Sequence, residues 1–179
     1  MIRWGILGAG KIAYRFASSL EQEADSVLAA ISCRSQEKAG RFAQAHPVEK
    51  IYIGYEKLLA DPQIDAIYLA LPHGLHEEWA IRAIQAGKAV LCEKPAALDA
   101  GQMRRIAAAA RENQVLFMEA MKTRFVPLYD TVRQLVKAGK LGELTAVTRD
   151  GVRIPIIERG RFVLPGTKEL NRPLEEAGI

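Results

Sequence analysis

Ile2-Arg3-Trp4-Gly5-Ile6-Leu7-Gly8-Ala9-Gly10-Lys11-Ile12-Ala13 decides the fold. Residues 2–7 read as a short apolar strand. Residues 11–20 carry helical spacing, with Ile12, Phe16 and Leu20 on one face. Between the two lies Gly-x-Gly-x-x-Ala. The pattern alone is weak, but a strand before it and a helix after it make it specific. Gly8 permits the tight turn. Gly10, having no side chain, lets a pyrophosphate approach the backbone, and Ala13 lets the helix pack closely on the strand. The first amides of the helix and its dipole favour negative charge at that point. Ala9, Lys11 and Ile12 complete the expected binding turn. A glycine turn that merely joins strand to helix is the plainer alternative.

Working outward, the alternation continues. Strands are expected at 27–32, 66–71, 89–92 and 115–119, and helices at 37–45, 55–60, 76–86 and 99–113. Ala39, Phe42 and Ala43 face inward on the second helix. Asp61-Pro62 ends the third, Gly87 stops the fourth, and Asp99 caps the fifth. The strands are nearly continuous apolar runs, Leu116, Phe117 and Met118 among them, as strands covered on both faces should be. The expected class is α/β, a Rossmann doubly wound parallel sheet. The texture changes near Arg124. An amphipathic helix at 127–138 is closed by Gly139, a half-exposed strand is expected at 143–148, and a short edge segment at 154–157. The expected organisation is a dinucleotide-binding domain over 1–122, followed over 123–179 by the incomplete start of an α+β domain.

Bulk properties narrow the function. Apolar residues make up 49% of the 179, enough for a sizeable core, and the net charge is +4. The charges are interspersed, without a basic stripe or aromatic interleaving. That argues against nucleic acid and fits an anionic small ligand. The two cysteines, Cys33 and Cys92, end apolar runs and form no Cys-x-x-Cys pair, so reduced buried thiols are expected. No signal-peptide pattern opens the chain, and no apolar stretch is long enough to span a membrane. A cytoplasmic protein without membrane contact is expected. His73 and His76 lie three apart but lack a carboxylate or thiolate cluster, so no metal is expected.

The second expected strand ends Cys33-Arg34-Ser35, with no acidic residue between Val27 and Gln36. An NAD site usually carries an Asp or Glu there for the ribose hydroxyls. Arg34 can instead pair with a 2′-phosphate, and Ser35 can donate to it. This points to NADP, with NAD as the alternative. Farther on, a strand ends in Glu93-Lys94-Pro95, at the sheet edge where open parallel sheets bind ligands. Lys94 there could donate to a substrate oxygen, and partial burial would ease loss of its proton.

Four features in order resemble the oxidoreductase family named for glucose–fructose oxidoreductase, inositol 2-dehydrogenase and the rhizopine-catabolism protein. They are Gly8-Ala9-Gly10-Lys11-Ile12-Ala13, Leu71-Pro72-His73-Gly74-Leu75-His76, Glu93-Lys94-Pro95, and the run Met118-Glu119-Ala120-Met121-Lys122-Thr123-Arg124-Phe125. The last run is similar to the trans-dihydrodiol and anhydrosugar dehydrogenase branch. The resemblance implies that Lys94 is the catalytic lysine and that Glu93 and Pro95 shape the nicotinamide pocket. It places Leu71, Pro72, His73 and His76 along the cofactor cleft, and Arg124 at a domain junction. The implied chemistry is hydride transfer between nicotinamide and a sugar, polyol or dihydrodiol. Family members are longer, and the chain is expected to be a truncated form that stops before the proton donor. A homo-oligomer through the strand at 143–148 is expected. The competing reading is a catalytically incompetent dinucleotide-binding fragment or interaction module.

Overall fold

The structure, a computed structural model, describes residues 1–140 and the strand segments 148–149, 152–153, 156–158 and 161–163. It divides into two units, Met1–Met121 and Lys122–Ile179.

The first unit alternates strand and helix throughout. Strands β1 (Ile2–Leu7), β2 (Ser26–Cys33), β3 (Lys50–Ile53), β4 (Ala66–Leu69), β5 (Ala89–Cys92) and β6 (Phe117–Glu119) form one sheet. Its order is β3-β2-β1-β4-β5-β6, and every pairing is parallel. This is the doubly wound order, with its switch point between β1 and β4. Helices α1 (Lys11–Leu20), α2 (Gln36–Ala45), α3 (Tyr55–Leu59), α4 (His76–Gln85) and α5 (Ala100–Glu112) cover it. Strand alternation sends neighbouring residues to opposite faces. Ile6, Leu28, Ile31 and Tyr68 pack with Ala13, Ala17 and Leu20 of α1 and Phe42 of α2. Leu7, Ile67, Leu69 and Val90 pack with Leu58, Trp79, Ala83, Ile84 and Ile106 of α3, α4 and α5.

Two details correct the sequence reading. The buried stripe of α1 runs through Ala13, Ala17 and Leu20, while Ile12 is 38% exposed. The first turns of α1 meet the sheet through the Ala13 and Ala17 methyls, and Ile12 faces outward. Leu116, just before β6, and Met118 within it are exposed rather than core, because an edge strand has a neighbour on one side only.

The amino edge of the sheet is tied by ions. Asp61, on the turn after α3, accepts from Lys50 Nζ and Tyr52 Oη at 2.8 Å each and from the Gln63 amide at 2.9 Å. Buried Lys88 donates to the Asp61 and Ile64 carbonyls at 2.8 and 2.7 Å. Arg3 bonds Gln63 O and pairs with Glu49. The Lys50 ammonium and the Gln63 amide hold the Asp61 carboxyl down to about 2 from its usual 3.8. A depressed carboxylate stabilises the fold fully above its unfolded value, and that contribution is lost as pH falls through the folded value. Asp61→Asn is therefore expected to lower the thermal midpoint at pH 7, with parent and variant converging between pH 3.8 and about 2. A constant gap across that interval would exclude this role for the carboxylate.

The second unit opens with a 3-10 turn at Lys122–Phe125 and continues into α6 (Pro127–Lys137), which has proline in its first turn and is followed by Gly139. Among the described residues that follow, four short strands form two antiparallel pairs, Thr148–Arg149 with Val152–Arg153 and Ile156–Glu158 with Arg161–Val163. Most of the strand expected at 143–148, and the tail after residue 163, lie outside the described residues, as does the side chain of Arg124. Among the described residues no helix is long and apolar enough to cross a membrane.

Candidate functional site

The carboxyl ends of β1, β2 and β4 open onto a crevice of about 430 Å3. Its floor is the first turn, Gly8-Ala9-Gly10. One wall is Ala70-Leu71-Pro72 after β4, and the other is Cys33-Arg34-Ser35 with Lys38 and Tyr55. Gly8 has φ +100°, and a methyl there would sit 2.5 Å from the Ala70 carbonyl oxygen. The fold itself requires glycine at this point. Gly10 differs. Its φ of −85° suits any residue, and a methyl there would meet no protein atom within 4 Å. It caps α1 without any side-chain hydrogen bond, leaving the helix's first amides to an outside acceptor.

The far wall is cationic. Ser35 caps α2 by accepting from the Lys38 amide at 3.3 Å, which brings Arg34 and Lys38 to the positive end of that helix. Both cations are exposed. Tyr55 packs edge-on against Trp79 at 4.8 Å; burial pushes its phenol up, while the adjacent Arg34 pulls it back.

Glu93, Lys94 and Pro95 follow β5. The Tyr68 hydroxyl donates to Glu93 Oε1 at 2.5 Å, and the other carboxylate oxygen accepts the Lys94 amide at 3.2 Å. Tyr68 is held by stacking on Phe16 of α1 at 3.9 Å. Burial and the Glu93 charge push its phenol above the ordinary range, so it stays a donor. On the other side, Glu119 Oε1 accepts the Ala96 amide at 2.8 Å. Two carboxylates thus pin the backbone on either side of Lys94. The Lys94 side chain is exposed, not partly buried as the sequence suggested, and among the described residues its ammonium makes no hydrogen bond or ion pair. Beneath it, burial pushes the Cys92 thiol up to about 12, an inert group.

Of the residues singled out in the sequence, Gly8, Ala9, Gly10, Arg34, Ser35, Leu71 and Pro72 line the crevice. Lys11, Ile12, His73, Glu93, Lys94 and Pro95 do not line it; Lys11, Ile12, His73, Lys94 and Pro95 are exposed and Glu93 half-buried. His76 is fully buried, with both ring nitrogens on backbone carbonyls, so it presents nothing to the cleft. Cys33, Lys38, Tyr55 and Ala70 line the crevice without having been singled out. Lys38 alone had a sequence signal, as the cation three residues past a helix-capping serine.

Comparison with known proteins agrees with this geometry. A family profile described as oxidoreductase family, NAD-binding Rossmann fold (Gfo/Idh/MocA), matches residues 2–121. The trans-1,2-dihydrobenzene-1,2-diol dehydrogenase of Xenopus tropicalis is 39% identical over 160 residues, covering 88% of this chain and 48% of that protein. The Homo sapiens enzyme of the same name is 36% identical over 145 residues, covering 80% and 43%. Among solved structures, the 3-ketoreductase KijD10 of Actinomadura kijaniata, in complex with NADP and TDP-benzene, superposes with a TM-score of 0.76. It is 38% identical, over 80% of this chain and 44% of that one. The chain spans about half the length of the curated relatives it matches. With the fingerprint turn, the switch-point crevice and the Glu93-Lys94-Pro95 loop all in place, the chain belongs to the Gfo/Idh/MocA oxidoreductase family.

Proposed function

We propose that the chain binds NADP(H) in the crevice at the carboxyl edge of its sheet. In this reading it is the nucleotide-binding part of an oxidoreductase acting on a carbinol or carbonyl carbon of a dihydrodiol, sugar or polyol. The observation that carries the reading is Gly10, a glycine that the protein's own packing does not require. An open cradle in front of uncapped helix amides is the shape a diphosphate fills. When bound, the nicotinamide supplies or accepts the hydride. The chain's own residues do the rest. Arg34 and Lys38 meet the 2′-phosphate as a cationic pair, without a carboxylate from the end of β2 to repel it. Lys94, with its backbone fixed by Glu93 and Glu119, offers an ammonium to the reacting oxygen. The substrate class follows the names of the similar enzymes, a dihydrodiol dehydrogenase and a 3-ketoreductase. Two buried free thiols suit a reducing compartment such as the cytoplasm.

Calorimetric titration with NADPH tests this. The parent chain is expected to bind, and Gly10→Val to weaken binding by roughly 100-fold (about 3 kcal/mol) at an unchanged thermal midpoint. Equal binding by the two proteins, or none by the folded parent, would overturn the reading.

A further inference from the structure

His76 opens α4 and is 0% exposed. Its Nδ1 lies 2.8 Å from the Pro95 carbonyl oxygen, and its Nε2 lies 2.8 Å from the Leu71 carbonyl oxygen. Both partners are acceptors only. A neutral imidazole has one N–H and one lone pair, so it can satisfy one carbonyl and must turn its lone pair on the other. Turning the ring over does not help. It would place C–H groups at these positions, and carbon–oxygen contacts of that kind settle at about 3.3–3.6 Å. Two acceptors at 2.8 Å call for two donors.

We propose that His76 is a doubly protonated imidazolium that acts as the positioning residue for Lys94, tying the Leu71 and Pro95 carbonyls together beneath the crevice. Leu71 belongs to the crevice wall, and Pro95 follows Lys94 directly. The ring therefore sets the lysine loop against the wall of the nucleotide site. It completes a set of ties on this loop, with Tyr68–Glu93 before the lysine and Glu119–Ala96 after it.

The energetics oppose and then favour this charge. Burial disfavours a cation, and so does the helix terminus, by about 0.3–1 kcal/mol. Against that stand two charge-assisted bonds, worth about 1.5–3 kcal/mol each. The charged neighbours act in both directions, carboxylates favouring the cation and Lys94 and Arg105 opposing it. Glu77 and Glu78 follow in the first turn of α4, Glu77 being shared with Arg105 of α5. His73 meets the ring edge-on with centroids 5.4 Å apart. The gripped loop carries Glu93 and Lys94 and is bonded by Glu119.

The test needs no cofactor for its first two readouts, so it can fail without the proposed function failing. The chain has three histidines. Nitrogen-15 spectra of the ring nitrogens at pH 8 should show two signals pairs assigned to His46 and His73 by His46→Gln and His73→Gln. The third, His76, is expected to have both nitrogens protonated, because each faces a carbonyl oxygen at 2.8 Å. One unprotonated nitrogen would overturn the proposal, and this readout leaves His76 itself untouched. In His76→Leu, amide hydrogen exchange at Lys94 and Ala96 should rise about tenfold or more relative to the amides of β1, with recovery in His76→Asn, which keeps a donor facing Pro95 O. Unchanged exchange in a folded His76→Leu would refute the positioning role. If NADPH binds, it should weaken in His76→Leu and recover in His76→Asn; that arm alone rests on the proposed function.

Discussion

Gly8→Ala is expected to destabilise the first unit by about 2–4 kcal/mol, lowering its thermal midpoint by roughly 8–15 °C. Two costs add. The residue sits at φ +100°, where an L side chain is strained, and its new methyl would lie 2.5 Å from the Ala70 carbonyl oxygen. That oxygen is backbone at the end of β4, and Ala70 N is itself bonded to Leu7 O at 2.9 Å, so neither side can yield cheaply. Scanning calorimetry gives the result directly. A midpoint within about 2 °C of the parent's would mean that the turn relaxes and that its geometry is not fixed by the sheet. Set beside Gly10→Val, the experiment separates a glycine that the chain needs from one that its ligand needs.

The second large effect is expected in nucleotide choice. Arg34→Ala combined with Lys38→Ala should weaken NADPH binding by roughly 100-fold while changing NADH binding by less than about threefold. Each cation can give a charge-assisted bond to a 2′-phosphate. Both are exposed, so the lower end of the usual range applies. The single variants should each account for about tenfold. If NADH and NADPH weaken in parallel, the cations act on the diphosphate or on folding, and the cofactor preference must come from elsewhere. Because α2 is capped by Ser35 rather than by either cation, the double variant should keep its fold.

Much of this is legible in the amino-acid sequence. Strand β1 runs over Ile2–Leu7 as its apolar pattern indicates, and Asp99 caps α5 by accepting the Gln102 amide at 2.8 Å. Both signals are local, one a run and one a cap. Strand β3 was not legible. Its four residues, Lys50–Ile53, alternate between half-buried and exposed at the sheet edge, a run too short to announce a strand. In the site, the fingerprint glycines and Arg34 could be found because they sit in fixed register to β1 and β2. Tyr55 could not: it opens α3, a helix that the sequence does indicate, but β3, which carries the chain to the crevice just before it, is not advertised. His76 misled for a different reason. Spacing places it beside His73, but only the packing reveals that the helix start turns one ring outward and the other into the protein.

Every ion of the amino-edge cluster sits at the far end of the strands from the crevice. Arg3 and Gly8 are five residues of extended chain apart, about 16 Å. Perturbations at that separation combine almost independently. Heat tolerance and nucleotide preference are thus separate dials in this domain. Selection, or an engineer, can harden the rim around Asp61 and Lys88 while leaving affinity where it was, and can rewrite the Arg34 corner without drawing on the stability held at the opposite rim.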